Sequence, residues 1–143
     1  MVALTLPSLL TGEAANQALR AHHAPPGNMG DADLVMASGG EALCWWRVLA
    51  PEAELLWLHV HEDMRAKGLA GRLLVASLEH LEAAHLVKKY MLEVSVNNIQ
   101  AFYLYKKIGF EVVGVRKKYY QDKASGITSD AYVMSCSTFD SSY

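Results

Sequence analysis

The stretch from Leu55 to Leu81 restricts the fold of this chain more than any other part of it. A strongly apolar run, Glu54 to His61 (ELLWLHVH), enters a polar loop, Glu62 to Gly68, and then a periodic segment from Leu69 to His85. The run reads as a central strand buried on both faces. In the periodic segment Leu74, Leu78 and Leu81 recur at helical spacing, and Leu73 and Ala70 widen the stripe, so it reads as an amphipathic helix. Gly68 and Ala70 keep side chains small where the helix begins. Backbone N–H groups of a first helical turn lack intrahelical partners. Together with the helix dipole they make an anion site suited to a pyrophosphate. Arg65 and Lys67 add positive charge. Taken alone, this junction reads equally as an ordinary loop and helix start. It is neither a dinucleotide fingerprint, because Gly-x-Gly-x-x-Gly is absent, nor a triphosphate P-loop.

Around this unit the pattern alternates. Leu9 to His23 predicts a short helix starting at Thr11 or Gly12, broken by Ala24-Pro25-Pro26-Gly27-Asn28. Asp33–Ser38 and Leu43–Leu49 are strands joined by a Gly39-Gly40 hairpin turn, and Pro51-Glu52 is a further turn. Lys89 to Val96 is a strand. Asn97 and Asn98 offer N-cap side chains to a helix ending near Ile108. Gly109 suits a left-handed C-cap, with Phe110 supplying the accompanying apolar contact. Phe110–Tyr120 is a strand with Gly114 as a bulge, Gln121–Ser129 a polar loop, and Asp130–Cys136 the last strand. The order is helix, three strands, helix, strand, helix, two strands. That predicts a mixed α/β (α+β) sheet and not a repeating βαβ array.

The 143 residues fit a single domain, 1–143. A net charge of −2 gives no basic face for nucleic acid. Cys44 and Cys136, the only cysteines, form neither a disulfide scaffold nor a CxxC motif. The N-terminus lacks signal-peptide features, and no apolar run approaches the roughly 18 residues that span a membrane. These readings predict a cytoplasmic, reduced chain.

Some side chains carry chemistry beyond packing. Glu93 sits mid-strand among Met91, Val94 and Val96, where partial burial raises a carboxylate's pKa. It reads either as a solvated strand residue or as a base. Tyr105 reads either as core or as a phenolic acid. His59 and His61 share one strand face. Two such imidazoles can bind zinc, but no third or fourth ligand stands nearby in sequence, so no metal is expected. Trp45 and Trp46 read as core and surface packing.

Three blocks together resemble a known superfamily. They are Arg65-x-x-Gly68-x-Ala70 after an apolar strand, Glu93 to Asn98 continuing into Ala101 to Phe110, and Arg116 to Tyr120 followed by Asp130 to Met134. The chain resembles the GCN5-related N-acetyltransferases (GNAT), and most closely the RimI-type protein N-terminal acetyltransferases, over roughly Ala32 to Met134. The resemblance implies a mostly antiparallel sheet flanked by helices, with a V-shaped splay between two parallel strands. Acetyl-CoA would lie in that splay as co-substrate. Backbone groups of Leu58, His59 and Val60 would hold the pantetheine arm. The N–H groups of Ala66, Lys67, Gly68, Leu69, Ala70 and Gly71, beside Arg65, would cradle the pyrophosphate, and Asn98 and Tyr105 would contact the cofactor. Glu93 falls on the base position and Tyr105 on the acid position, for direct transfer in a ternary complex. Tyr119 and Tyr120 fall at the mouth of the peptide site. The implied partner is a protein or peptide N-terminus, such as that of a ribosomal protein, with a small amine as the alternative acceptor and a non-catalytic CoA-binding module as the alternative role. Neither nucleic acid nor membrane is implied, and the expected state is a monomer or weak homodimer.

Overall fold

The computed structural model describes residues 6–27, 29–121, 126 and 128–142. Its elements are β1 (Ser8–Leu10), α1 (Gly12–Ala21), β2 (Asp33–Ser38), β3 (Ala42–Leu49), β4 (Glu52–Val60), α2 (Leu69–His85), β5 (Lys89–Ser95), α3 (Ile99–Ile108), β6 (Glu111–Gln121) and β7 (Thr128–Cys136), with a 3-10 turn at Glu62–Met64. The described strands form one seven-stranded sheet in the order β1-β2-β3-β4-β5-β7-β6. Every pairing is antiparallel except that of β4 with β5, which is parallel. The expected mixed, mostly antiparallel α/β sheet is therefore present. No helix among the described residues is long and apolar enough to cross a membrane.

Helix α2 runs over the predicted residues because its buried positions, among them Leu74, Leu78 and Leu81, form one continuous stripe. Helix α3 is capped as its sequence suggests, with Asn98 Oδ1 accepting the Ala101 N–H at 3.2 Å. At its other end the N–H groups of Gly109 and Phe110 both reach the Tyr105 carbonyl, at 3.1 and 2.9 Å. Gly109 has φ +131°, and a Cβ there would lie 2.7 Å from the Thr138 carbonyl oxygen. Only glycine fits that position.

Four expectations are corrected. Leu9 and Leu10 belong to β1, paired with Met36 and Val35, and not to the first helix. The edge of β2 takes their backbone groups into its ladder, and Gly12 at φ +57° turns the chain into α1. Glu52 is already strand, opposite Leu49 and Lys89, so the turn is Ala50–Pro51 alone. β6 and β7 extend to Gln121 and Thr128 and shorten the expected polar loop. Trp45 and Trp46 are both buried, on opposite faces of β3, so neither is surface packing. The predicted bulge at Gly114 is present: the register steps from Val112 to Gly114 and leaves Val113 over.

The sheet separates two cores. Under α2 and α3 lies the larger, holding Trp46, Tyr90, Leu92, Phe110 and the leucines of α2. Within it Trp46 Nε1 donates to Ser77 Oγ at 2.9 Å, and Tyr90 OH donates to the Leu78 carbonyl at 3.1 Å. Under α1 lies a small cluster of Ala15, Leu19, Val35, Leu43 and Trp45. A bulge in β4 decides which side chains meet which core. Trp45 pairs with Trp57 and Trp46 with Leu55, so Leu56 has no partner. Before it, odd-numbered Ala53 and Leu55 face the α2 core; after it, even-numbered Leu58 and Val60 do.

Candidate active site

β4 and β5 pair only from Glu52–Lys89 to Leu55–Leu92. Beyond that point each keeps its outer neighbour, β3 or β7, and the two diverge. A cleft of ≈ 710 Å³ opens between them. Its walls are Leu55–Val60 of β4, Glu93–Ser95 of β5, parts of the loop from Met64 to Gly71, and α3 from Asn98 to Tyr105.

The loop end of the cleft is built from backbone. Ala66 (φ +62°) and Gly68 (φ +74°) are both left-handed. Such residues turn successive N–H groups into a concave anion nest, here directly before α2. The cations around it are already engaged. Arg65 Nε donates to the Val60 carbonyl at 3.0 Å and closes the turn after β4. Arg72 Nη2 donates to the Lys67 carbonyl at 2.7 Å, and its guanidinium lies over Gly68. Arg65, Ala66, Gly68, Leu69, Ala70 and Gly71 line the cleft, but Lys67 does not. Its ammonium instead points toward Met64 Sδ, 4.0 Å away.

Glu93 and Tyr105 reach the cleft from opposite faces of the sheet. Tyr90, Leu92 and Val94 point into the α2 core, so strand alternation sends Glu93 to the other face. Its side chain is 17% exposed and pairs with Arg116 at 2.9 Å. Burial raises the Glu93 pKa, Arg116 partly offsets that, and Glu54 adds to it. The direction agrees with the sequence expectation. Tyr105 lies on the helix side, 7% exposed, edge-on to Phe110 at 5.9 Å. Leu58, His59, Val60 and Asn98 line the cleft as well. Tyr119 and Tyr120 fall on β6, and their side chains lie outside the described residues.

Two residues were missed by sequence reasoning. Arg116 stood out only as the first residue of the third block, with no role attached, since its pairing with Glu93 depends on the β6–β7 register across a bulge. His22, expected inside a helix, is the C-cap of α1, buried at 2% exposure. It meets the imidazoles of His59 and His61 on the α1 face of the sheet. The premise that no third ligand stands near His59 and His61 is therefore corrected. Burial above all, and then the neighbouring His61 and His59, pushes the His22 pKa down to about 4. Burial followed by Arg65 lowers that of His59.

Residues 35–120 match the family described as FR47-like protein. Among curated proteins, the chain is 36% identical over 86 residues to an N-alpha-acetyltransferase of Saccharolobus solfataricus, covering 60% of this chain and 48% of the relative. It is 37% identical over 79 residues to the [Ribosomal protein bS18]-alanine N-acetyltransferase of Haemophilus ducreyi, covering 55% of this chain and 52% of that one. The chain thus spans about half the length of the curated relatives it matches. Its fold is similar to the crystal structure of the ribosomal-protein-S18-alanine N-acetyltransferase from Escherichia coli, with TM-score 0.76, 24% identity, and coverage of 94% of this chain and 96% of the other.

Proposed function

This chain belongs to the FR47-like family within the GCN5-related N-acetyltransferases, and on that premise we propose that it transfers an acetyl group from acetyl-CoA to the α-amine of a polypeptide N-terminus. One observation carries the reading: Glu93 and Tyr105 line a single cleft from opposite faces of the sheet, with an anion nest at its end. An extended donor with a pyrophosphate at one end and a thioester at the other suits that shape. The nest presents backbone and methyl-sized or smaller groups at Ala66, Gly68, Ala70 and Gly71, so phosphate oxygens can approach N–H donors closely.

In this reading Glu93 takes a proton from the acceptor nitrogen as that nitrogen bonds to the acetyl carbonyl carbon. A partly buried carboxylate with a raised pKa is the stronger base for this step. Backbone N–H groups along Leu58–Val60 hold the carbonyl oxygen as charge develops on it. Tyr105 gives its phenolic proton to the sulfur as the carbon–sulfur bond breaks, and solvent returns the proton on Glu93 to Tyr105. Arg116 holds the Glu93 carboxylate in place. Tyr119 and Tyr120 would bond the acceptor backbone.

The test is acetyl-CoA-dependent modification of a mixed peptide library, enriched in alanine N-termini, with α-amine and lysine products separated by mass spectrometry. The expected product is α-acetylated peptide. Turnover confined to a polyamine, amino acid or aminoglycoside overturns the acceptor assignment. A calorimetric titration with no heat from millimolar acetyl-CoA overturns the donor as well.

A further inference from the structure

Beside the cleft, three imidazoles converge from two elements. His59 lies on β4 opposite Leu43, and His61 follows one residue past the end of that strand, its ring 5.6 Å from that of His59. His22 arrives from the C-terminal end of α1. One ring nitrogen from each lies within 4.8 Å of the other two. His22 and His59 face each other Nδ1 to Nδ1 at 2.9 Å. Two imidazole lone pairs at that separation repel unless a proton or another cation lies between them. A proton serves only that pair, while His61, its ring stacked on His22 at 4.5 Å, takes no share in it.

We propose that His22, His59 and His61 form a binding site for a divalent late first-row transition ion, with zinc as the reference. Neutral imidazole is a preferred donor for this class. At Zn–N distances near 2.0–2.1 Å a tetrahedral site sets its nitrogens about 3.3 Å apart. The His22–His59 pair then opens by a few tenths of an ångström. The His61 nitrogen moves inward by at most about 1.5 Å, within reach of a side-chain rotation of this half-buried residue.

The surroundings fit a metal site in two further respects. Histidine ligands are usually oriented by a hydrogen bond to the ring nitrogen that does not ligate, and the backbone of Gly40 hydrogen-bonds the His22 ring. At the same β2–β3 turn, the Glu41 carbonyl accepts the backbone N–H of His61 at 2.9 Å, which fixes the main chain at that ligand. Glu41 also carries a buried carboxylate oxygen with no hydrogen-bond partner among the described residues. Three protein ligands leave one coordination position for water or an incoming donor. The ion ties the end of α1 to β4. Ion binding here does not depend on acetyl transfer, and it is read as bound metal and not as turnover.

Untagged full-length chain, stripped with a chelator, is titrated with zinc against a chromophoric competitor, and separately with cobalt(II). The expected result is one ion per chain, with visible d–d bands from nitrogen-ligated cobalt. His22→Ala, His59→Ala and His61→Gln should each weaken zinc at least about tenfold. The double variant His80→Ala/His85→Ala, altering the other imidazole pair, on α2, should leave affinity unchanged. No binding at micromolar zinc overturns the proposal. So does undiminished binding in His22→Ala, or loss only in the His80/His85 variant, which would mark an adventitious surface pair. Should His22→Ala fail to fold by circular dichroism, the half-buried His59→Ala decides between these outcomes.

Discussion

On one face of the sheet, α2 and α3 cover a core in which Trp46, Tyr90 and Phe110 are fully buried and the polar handles of the first two are tied to the Ser77 hydroxyl and a backbone carbonyl. On the other, α1 brings Ala15 and Leu19 onto only Val35, Leu43 and Trp45 and leaves much of the remaining surface to Glu93, Arg116, Glu54 and four histidines. The first face holds geometry: its helix start forms the nest, and its packing sets the position of Tyr105. The second face holds the titratable groups, Glu93 and the histidines among them. Rigid support on one side and adaptable chemistry on the other is what a site needs when one ligand must be positioned and another must react.

The contrast can be broken most severely at the cleft. Glu93→Gln and Tyr105→Phe should each lower kcat by about 10²-fold or more, with circular dichroism unchanged. Thiol release measured for both variants at near wild-type rates would show that the two faces do not share a reaction. Next in size is the packing difference. Leu78→Ala should cost about 4–5 kcal/mol, while Leu19→Ala, under the thinner cover of α1, should cost about 2–3 kcal/mol. Urea melts giving equal losses would show that the α1 face is as firmly packed as its opposite.

The third effect is electrostatic. Burial alone would raise the pKa of Asp33. Hydrogen bonds from Arg47, the Gly30 N–H and Trp45 Nε1 outweigh it and hold the pKa below 3.8. The ionised form therefore favours the folded state. That contribution is complete above the unfolded value of 3.8 and fades as pH falls through the lower folded value. Asp33→Asn should flatten the acid limb of a stability–pH profile, and an unchanged limb would remove Asp33 as its source. The smallest effect is at the surface of α1, where Arg20 and Glu13 pair at 2.8 Å with side chains 61% and 67% exposed. Glu13→Ala should change stability by less than about 0.5 kcal/mol. A larger shift in the urea midpoint would give α1 more weight than its burial implies.

The helix-rich face was also the easier to read from the amino acids. α2 carries a continuous apolar stripe, and Asn98 and Gly109 mark the two ends of α3 by local chemistry. Information of that kind sits within a few residues and does not depend on register. The α1 face depends on pairing instead. β1 exists because an edge of β2 is available to three residues. Arg116 reaches Glu93 only through the register of the bulged β6 against β7. His22 joins His59 because α1 ends where it does, and no local signal points from one to the other. The small-residue loop before α2 was legible in position, but the engagement of Arg65 with the Val60 carbonyl was not, since side-chain routing follows from backbone curvature that spacing does not encode.

The unpaired Leu56 in β4 makes this strand behave like a message with a reading frame. Side chains upstream and downstream of it are assigned to faces by opposite parity, so its presence, more than its identity, carries the instruction. Deleting Leu56 would let Leu55 and Trp57 follow one another in unbroken alternation opposite Trp46 and Trp45, and every later side chain would keep its face. Inserting one residue after Trp57 would instead drive His59 into the apolar core and expel Leu58 and Val60 from it. β4 therefore accommodates the loss of its one unpaired residue far better than the gain of a second.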